Sequence, residues 1–162
     1  MTKKLPQRRS PRLKNYDYAQ NGAYFITICT QHRQQYFGHI TEQTMHLNPA
    51  GEMVQAFWND ITGRFSAIEC DVSVVMPNHL HGILVLTNSN QQTIIEAIQW
   101  FKSITTSYYR KGVHEDAWQP YDSKLWQRSF HDHVIRNESS LNKLREYVLY
   151  NPALWEKDTF YE

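Results

Sequence analysis

The stretch MPNHLHGIL, residues 76–84, sets two imidazoles, His79 and His81, inside an apolar run. In a strand, side chains at i and i+2 share a face, so both rings can reach one metal ion while Leu80 and Gly82 share the opposite face. Gly82 leaves room for another backbone or side chain to approach closely beside the pair. Two nitrogens do not complete a metal shell, and the sequence offers two completions. A second pair, His131 and His133 flanking Asp132, would give an all-nitrogen, zinc-like shell. An oxygen donor from the last helix would suit a harder divalent ion such as Mn2+ or Mg2+. Spacing leaves both open.

The last helical stretch reads SLNKLREYVLYNPALW from Ser140. Tyr147 and Asn151 stand one turn apart on one helical face, which can hold a phenol and an amide oxygen near one metal, and Tyr150 lies close to that face. A phenol has an ordinary pKa near ~10, so its attack on phosphorus needs a metal or a positive neighbour to favour the phenolate. A divalent ion held by histidines also draws charge from a non-bridging phosphate oxygen and orients the phosphate. A tyrosine–phosphate ester keeps most of the energy of the broken phosphodiester, so a site of this kind can cut and rejoin DNA without ATP.

The elements that must position these groups follow from hydrophobic period and turn chemistry. Residues 22–30, GAYFITICT, form an expected first strand after Asn21-Gly22, followed by a loop and a short hairpin through Gly38. Asn48-Pro49 marks a helix start, and Met53, Val54, Phe57, Trp58, Ile61 and Phe65 recur at helical spacing until Gly63 weakens the end. Residues 68–74 alternate, with Ile68, Cys70, Val72 and Val74 on the buried side. Pro77-Asn78 interrupts, and residues 79–86 return as an antiparallel third strand. A helix over 93–110, a loop over 111–123, a strand over 125–135 and a last helix capped by Asn137 or Ser139 complete the chain, with Pro152 as its stop. The succession β-α-β-β-α-β, then α, predicts an α+β fold: a ferredoxin-like antiparallel sheet with an added C-terminal helix carrying Tyr147.

Length and composition bound the rest. A chain of 162 residues with 41% hydrophobic content buries one core, so residues 16–162 are expected to form one domain. The net charge of +1 hides an asymmetry: residues 1–15 hold six of the 17 basic residues and no acid, which leaves 11 against 16 acids in the remainder. Such a basic arm suits phosphate backbones. No run of about 18 apolar residues spans a bilayer and the basic N-terminus lacks the apolar core of a signal, so a cytoplasmic protein with no membrane partner is expected. Cys29 and Cys70 form no CxxC pattern and are assigned no chemistry.

Residues 74–84, VVMPNHLHGIL, resemble the HUH motif (His, hydrophobic, His) of single-strand DNA nucleases. SFHDHVIRN followed by LREYVLYNPALW is similar to the closing segments of the REP-associated tyrosine transposases, as are YDYAQNGAYFITICT and WFKSITT to further segments. The resemblance runs over about residues 8–157. It implies a ferredoxin-like fold, a divalent metal, Mg2+ or Mn2+, and cleavage of single-stranded DNA that leaves a 5′-phosphotyrosine and a free 3′-hydroxyl. It makes His79 and His81 metal ligands, Tyr147 the nucleophile four residues before Asn151-Pro152, and Asn151 a third, polar ligand.

Relatives of this kind act near short palindromes that fold into hairpins, so hairpin or single-stranded DNA is the implied partner and a homodimer is open. A hairpin stem gives Arg8, Arg9 and Arg12 a duplex to grip, with Lys102 and Arg136 as secondary DNA contacts. Two rivals stand beside this reading. One is a zinc hydrolase using His79, His81, one of the second histidine pair and a water nucleophile; the other is a non-catalytic hairpin-DNA binder on the same fold.

Overall fold

Alternation in β1 (Gly22–Cys29) turns Tyr24, Ile26 and Ile28 into the core and leaves Phe25 and Thr27 on the other side. The computed structural model describes residues 22–87 and 93–157. A short hairpin of β2 (Gly38–Thr41) and β3 (Thr44–Leu47) follows β1. Helix α1 (Pro49–Asn59) starts where Asn48 Oδ1 accepts from the Gly51 amide at 2.8 Å, with Pro49 as first helical residue. The expected single helix breaks at Asp60, and a separate turn, α2 (Ile61–Arg64), carries Ile61 into the core.

Strands β4 (Ile68–Met76) and β5 (His79–Leu86) pair across the Pro77-Asn78 turn. Helix α3 (Ile94–Glu115) begins with a capping box between Thr93 and Glu96. β6 (His131–Ile135) and α4 (Glu138–Tyr150), capped by Asn137, close the fold, and a 3-10 helix, Pro152–Lys157, continues past Asn151. The order β4-β5-β1-β6 is antiparallel throughout, so each β-α-β crossover skips one strand, as the expected α+β succession requires. Trp58 of α1 and Ile98 and Phe101 of α3 join Leu80, Leu84 and Leu86 in one core on one face of the sheet. Helix α4 covers the other face.

Three further expectations are corrected. The alternation expected over 68–74 is broken by a bulge: Cys70 pairs with Leu84 and Ser73 with Gly82, so Asp71 and Val72 together oppose Ile83. The phase therefore flips, Val75 rather than Val74 joins the core, and Val74 moves to the face of its partner His81. Helix α3 runs to Glu115 because Gly112 lets the Trp118 ring lie against it; a Cβ there would stand 2.2 Å from that ring. Residues 125–130 are not strand. An isolated bridge between Trp126 and Thr30, with the Gln127 amide donating to Cys29 O, ties the segment to the end of β1 before β6 begins at His131. Among the described residues no helix is long and apolar enough to cross a membrane.

Candidate active site

His79 and His81 are buried, at 0% and 1% exposure, on the sheet face beneath α4, with their Nε2 atoms 3.1 Å apart. Each ring is held through its other nitrogen. Nδ1 of His79 lies 2.7 Å from Asn78 Oδ1, and Nδ1 of His81 lies 2.8 Å from Thr27 Oγ1. Asn78 is itself fixed: its carbonyl accepts from the amide and hydroxyl of Thr30, and its Nδ2 donates to Arg33 O. The Pro77-Asn78 turn thus both reverses the chain and aims His79.

Proton logic assigns the tautomers. Asn78 Oδ1 accepts, so His79 carries its proton on Nδ1 and bares Nε2. His81 then donates from Nε2 across the gap while its Nδ1 accepts from the Thr27 hydroxyl. A metal ion needs both Nε2 lone pairs, which requires the His81 proton to sit on Nδ1 and Thr27 Oγ1 to accept. A hydroxyl serves either way. Burial, then the neighbouring His81, holds the His79 pKa down to about 2 against a favourable contact from Asn151 and with a further lowering by Arg33; burial alone holds His81 at about 3. Both imidazoles are neutral, the form that ligates.

Helix α4 brings the rest. Leu141, Leu144, Val148, Asn151 and Trp155 recur every three or four residues on its inward stripe and its 3-10 extension. Asn151 is the polar member of that stripe, 1% exposed, and its Oδ1 is buried without a hydrogen-bond partner. Tyr147, one turn earlier at the margin of the stripe, is 38% exposed, with its ring centroid 5.4 Å from that of His81 and 6.0 Å from that of Phe25. Tyr150 points to solvent at 63% exposure. Arg145 fixes the helix on the sheet by donating from Nε and Nη2 to Asp71 Oδ2, each at 2.7 Å. The bulge is what presents Asp71 to it.

The donors fit a divalent ion. Two nitrogens about 2.1 Å from a shared ion must lie within about 4.2 Å of each other, and here they are 3.1 Å apart. The Asn151 side chain reaches His79, and its buried amide oxygen has no hydrogen-bond partner. Among the described residues no group of three His, Cys, Asp or Glu side chains gathers to hold a metal, and a third donor would have to be of another type, such as the Asn151 amide. His131 and His133 share the site's face, since Thr27 pairs with both His81 and His131. They sit on the edge strand β6, exposed, two strand spacings or about 10 Å from the pair. The all-nitrogen shell is not assembled.

Gly82 does admit a close neighbour, on the opposite face from the imidazoles: a Cβ there would stand 2.3 Å from Cζ2 of Trp58. Lys102 lies on α3, away from the pair, with its ammonium donating to the carbonyls of Gln127 and Arg128 at 2.7 and 3.0 Å. Arg136 is exposed at the turn from β6 into α4. Arg8, Arg9 and Arg12, with the rest of the basic arm, lie outside the described residues.

Four residues of the site were not picked from the sequence. Thr27 had a signal, as a hydroxyl on the strand face that alternation turns away from the apolar core. Trp155, whose ring stacks on His79 with centroids 6.1 Å apart, continues the helical stripe past Pro152. Asn78 and Arg33 had none, because a tight turn and a short 3-10 helix, Gln31–Arg33, place them.

A buried HxH pair on an antiparallel sheet, faced by a tyrosine and an amide from one helix, is the arrangement the resemblance implied. A family model described as Transposase IS200 like matches residues 18–151, and the chain belongs to that transposase family. An uncharacterised protein of Haemophilus influenzae is 37% identical over 177 aligned positions that cover 97% of this chain and 94% of its own length. A second Haemophilus influenzae protein, provisionally named a REP-associated tyrosine transposase, is 26% identical and covers 87% of this chain and 77% of its own. The fold is that of a solved REP-associated tyrosine transposase bound to a REP hairpin: TM-score 0.64, 20% identity, 88% of this chain and 73% of that one.

Proposed function

We propose that the chain is a metal-dependent single-strand DNA endonuclease and strand transferase that cuts beside hairpin-forming repeats through a covalent 5′-phosphotyrosine at Tyr147. The observation that carries this reading is the convergence, within one chain, of a half-exposed phenol, two neutral buried imidazoles and a buried amide oxygen without a partner. Hairpin DNA as the substrate is supported by the solved relative of the same fold, which was bound to one.

His79, His81 and Asn151 would hold the divalent ion, Mn2+ or Mg2+. When bound, it withdraws charge from a non-bridging phosphate oxygen and favours the phenolate of a neighbouring tyrosine. Tyr147 stands at the mouth of the buried pair, so its Oη can meet a phosphate that enters from solvent. The new bond is Oη to phosphorus and the broken one is phosphorus to O3′. The phenol's proton passes to water and the departing 3′ oxygen gains one, so the exchange is balanced and reversible. Attack by a 3′-hydroxyl on the tyrosyl phosphate rejoins the strand with no outside energy. Arg33, whose charge reaches His79, would add positive charge near the pair. Of the DNA contacts, Arg136 keeps its place in this reading, and Arg8, Arg9 and Arg12 enter it from sequence alone.

Incubation with an end-labelled hairpin bearing an unpaired foot, in Mn2+ or Mg2+, tests the reading on a denaturing gel. A protein–DNA adduct is expected from the wild type and Tyr150→Phe and none from Tyr147→Phe. Cleavage without an adduct would mean a water nucleophile, and tight binding without cleavage would mean a DNA-binding protein only.

A further inference from the structure

Outside the active site, a cleft of about 350 Å3 opens between α3 and residues 121–128. Lys102 and Arg110 from α3 and Lys124 and Arg128 from the facing segment line it, and no carboxylate does; the adjacent Asp122 stays outside the lining. Lys102 holds the wall together through the carbonyls of Gln127 and Arg128. Arg110, Lys124 and Arg128 are exposed, and none of them enters an ion pair among the described residues.

We propose that this cleft is a second DNA-contact surface, which takes backbone phosphates of a duplex stem. The proposal rests on the reading above for the identity of the DNA. Gathered cations without acids suit phosphates, whose neutralisation releases counterions. Unpaired bases would need aromatic platforms, and the two large rings here are occupied. Trp126 is 3% exposed with Nε1 donating to Thr105, and Tyr121 packs against Tyr109 with centroids 5.8 Å apart. The Gln127 amide donates to the carbonyl of Cys29, and Cys29 pairs with His79, so the segment's backbone runs two strand spacings, about 10 Å, from the His79 backbone, with the cleft on the α3 side of the sheet and the imidazoles on the α4 side. A hairpin whose foot lies at Tyr147 reaches the cleft with its stem around the β6 edge of the sheet.

The test compares the full chain with its Arg110→Gln/Lys124→Gln/Arg128→Gln variant, by fluorescence anisotropy on a labelled hairpin and on its isolated foot. Between about 50 and 200 mM salt, loss of three phosphate contacts is expected to make the slope of log affinity against log salt shallower by roughly 2 to 3 for the hairpin. The foot's affinity and the rate of adduct formation at saturating hairpin are expected to stay at the wild-type level. A variant slope equal to the wild type's overturns the proposal, as does an equal loss of affinity for the foot, which would make the cleft a single-strand site. Circular dichroism melting of each single variant separates lost contacts from lost fold. A wild type that forms no adduct sinks the active-site reading instead, because the anisotropy comparison does not depend on cleavage.

Discussion

Thr27 Oγ1 and His81 Nδ1 lie 2.8 Å apart on directly paired positions of β1 and β5. That one hydroxyl lets His81 carry its proton on either nitrogen, donating to the ring in the metal-free pair and accepting from it when both Nε2 atoms are needed. Thr27→Val keeps the shape and removes both options. Its dissociation constant for Mn2+, measured by calorimetric titration, is expected to rise by about tenfold or more, whereas Thr27→Ser stays near the wild type. Equal binding by Thr27→Val would remove Thr27 from the site.

Asn151 Oδ1 is buried with no partner, a costly state unless something else satisfies the oxygen. Mn2+ at 100 times its dissociation constant is expected to stabilise the wild type against urea by about 2.7 kcal/mol. At the same concentration Asn151→Ala should gain distinctly less. An undiminished gain would mean that the amide oxygen is not a ligand.

Behind the imidazoles, Trp58 fills the space that a side chain at position 82 would need. Gly82→Ala is therefore expected to cost about 1 to 3 kcal/mol by displacing β5 or the indole. Adding Trp58→Phe, which trims the contacting ring, should recover part of that cost through a coupling of at least about 0.5 kcal/mol. Additive losses in denaturant melts would show that the two positions do not meet.

Much of this architecture was legible because β1 and β5 are strongly patterned and because the starts of α1 and α4 carry caps that work locally, Asn48 with Pro49 and Asn137. What escaped the sequence depends on contacts made at a distance. The bulge at Asp71-Val72 flips the phase of β4, and nothing in a run of alternating residues announces a bulge. The length of α3 is decided by Trp118 folding back on Gly112, and the loss of strand at 125–130 by Lys102 reaching over to the carbonyls there. In the site, the HxH spacing and the Tyr147/Asn151 turn were readable as shared faces. Which histidines stand together was not, since His131 is also on that face and only strand order separates it from His81.

The buried imidazoles fix the sign of the acid response. Their folded pKa values, about 2 and about 3, lie below the ordinary 6.5, so below pH 6.5 the unfolded chain binds more protons than the folded one. The metal-free protein is thus expected to hold the full contribution above pH 6.5 and to lose up to about 1.4 kcal/mol per pH unit for each imidazole as the pH falls from 6.5 toward 3. Urea melts at pH 7 and pH 5 check this, and His79→Gln/His81→Gln should show a flatter dependence. A wild type more stable at pH 5 than at pH 7 would contradict it.

In the proposed reaction Tyr147, within the same chain as the imidazole pair, carries the DNA. Proteolysis of the covalent adduct followed by mass spectrometry of the nucleotide-bearing peptide tests it most directly. The expected result is a 5′-phosphate esterified to Tyr147, in a reaction that stops when the divalent ion is chelated. A phosphate on Tyr150 or any other residue would contradict the account, and so would DNA cleavage that leaves no modified peptide.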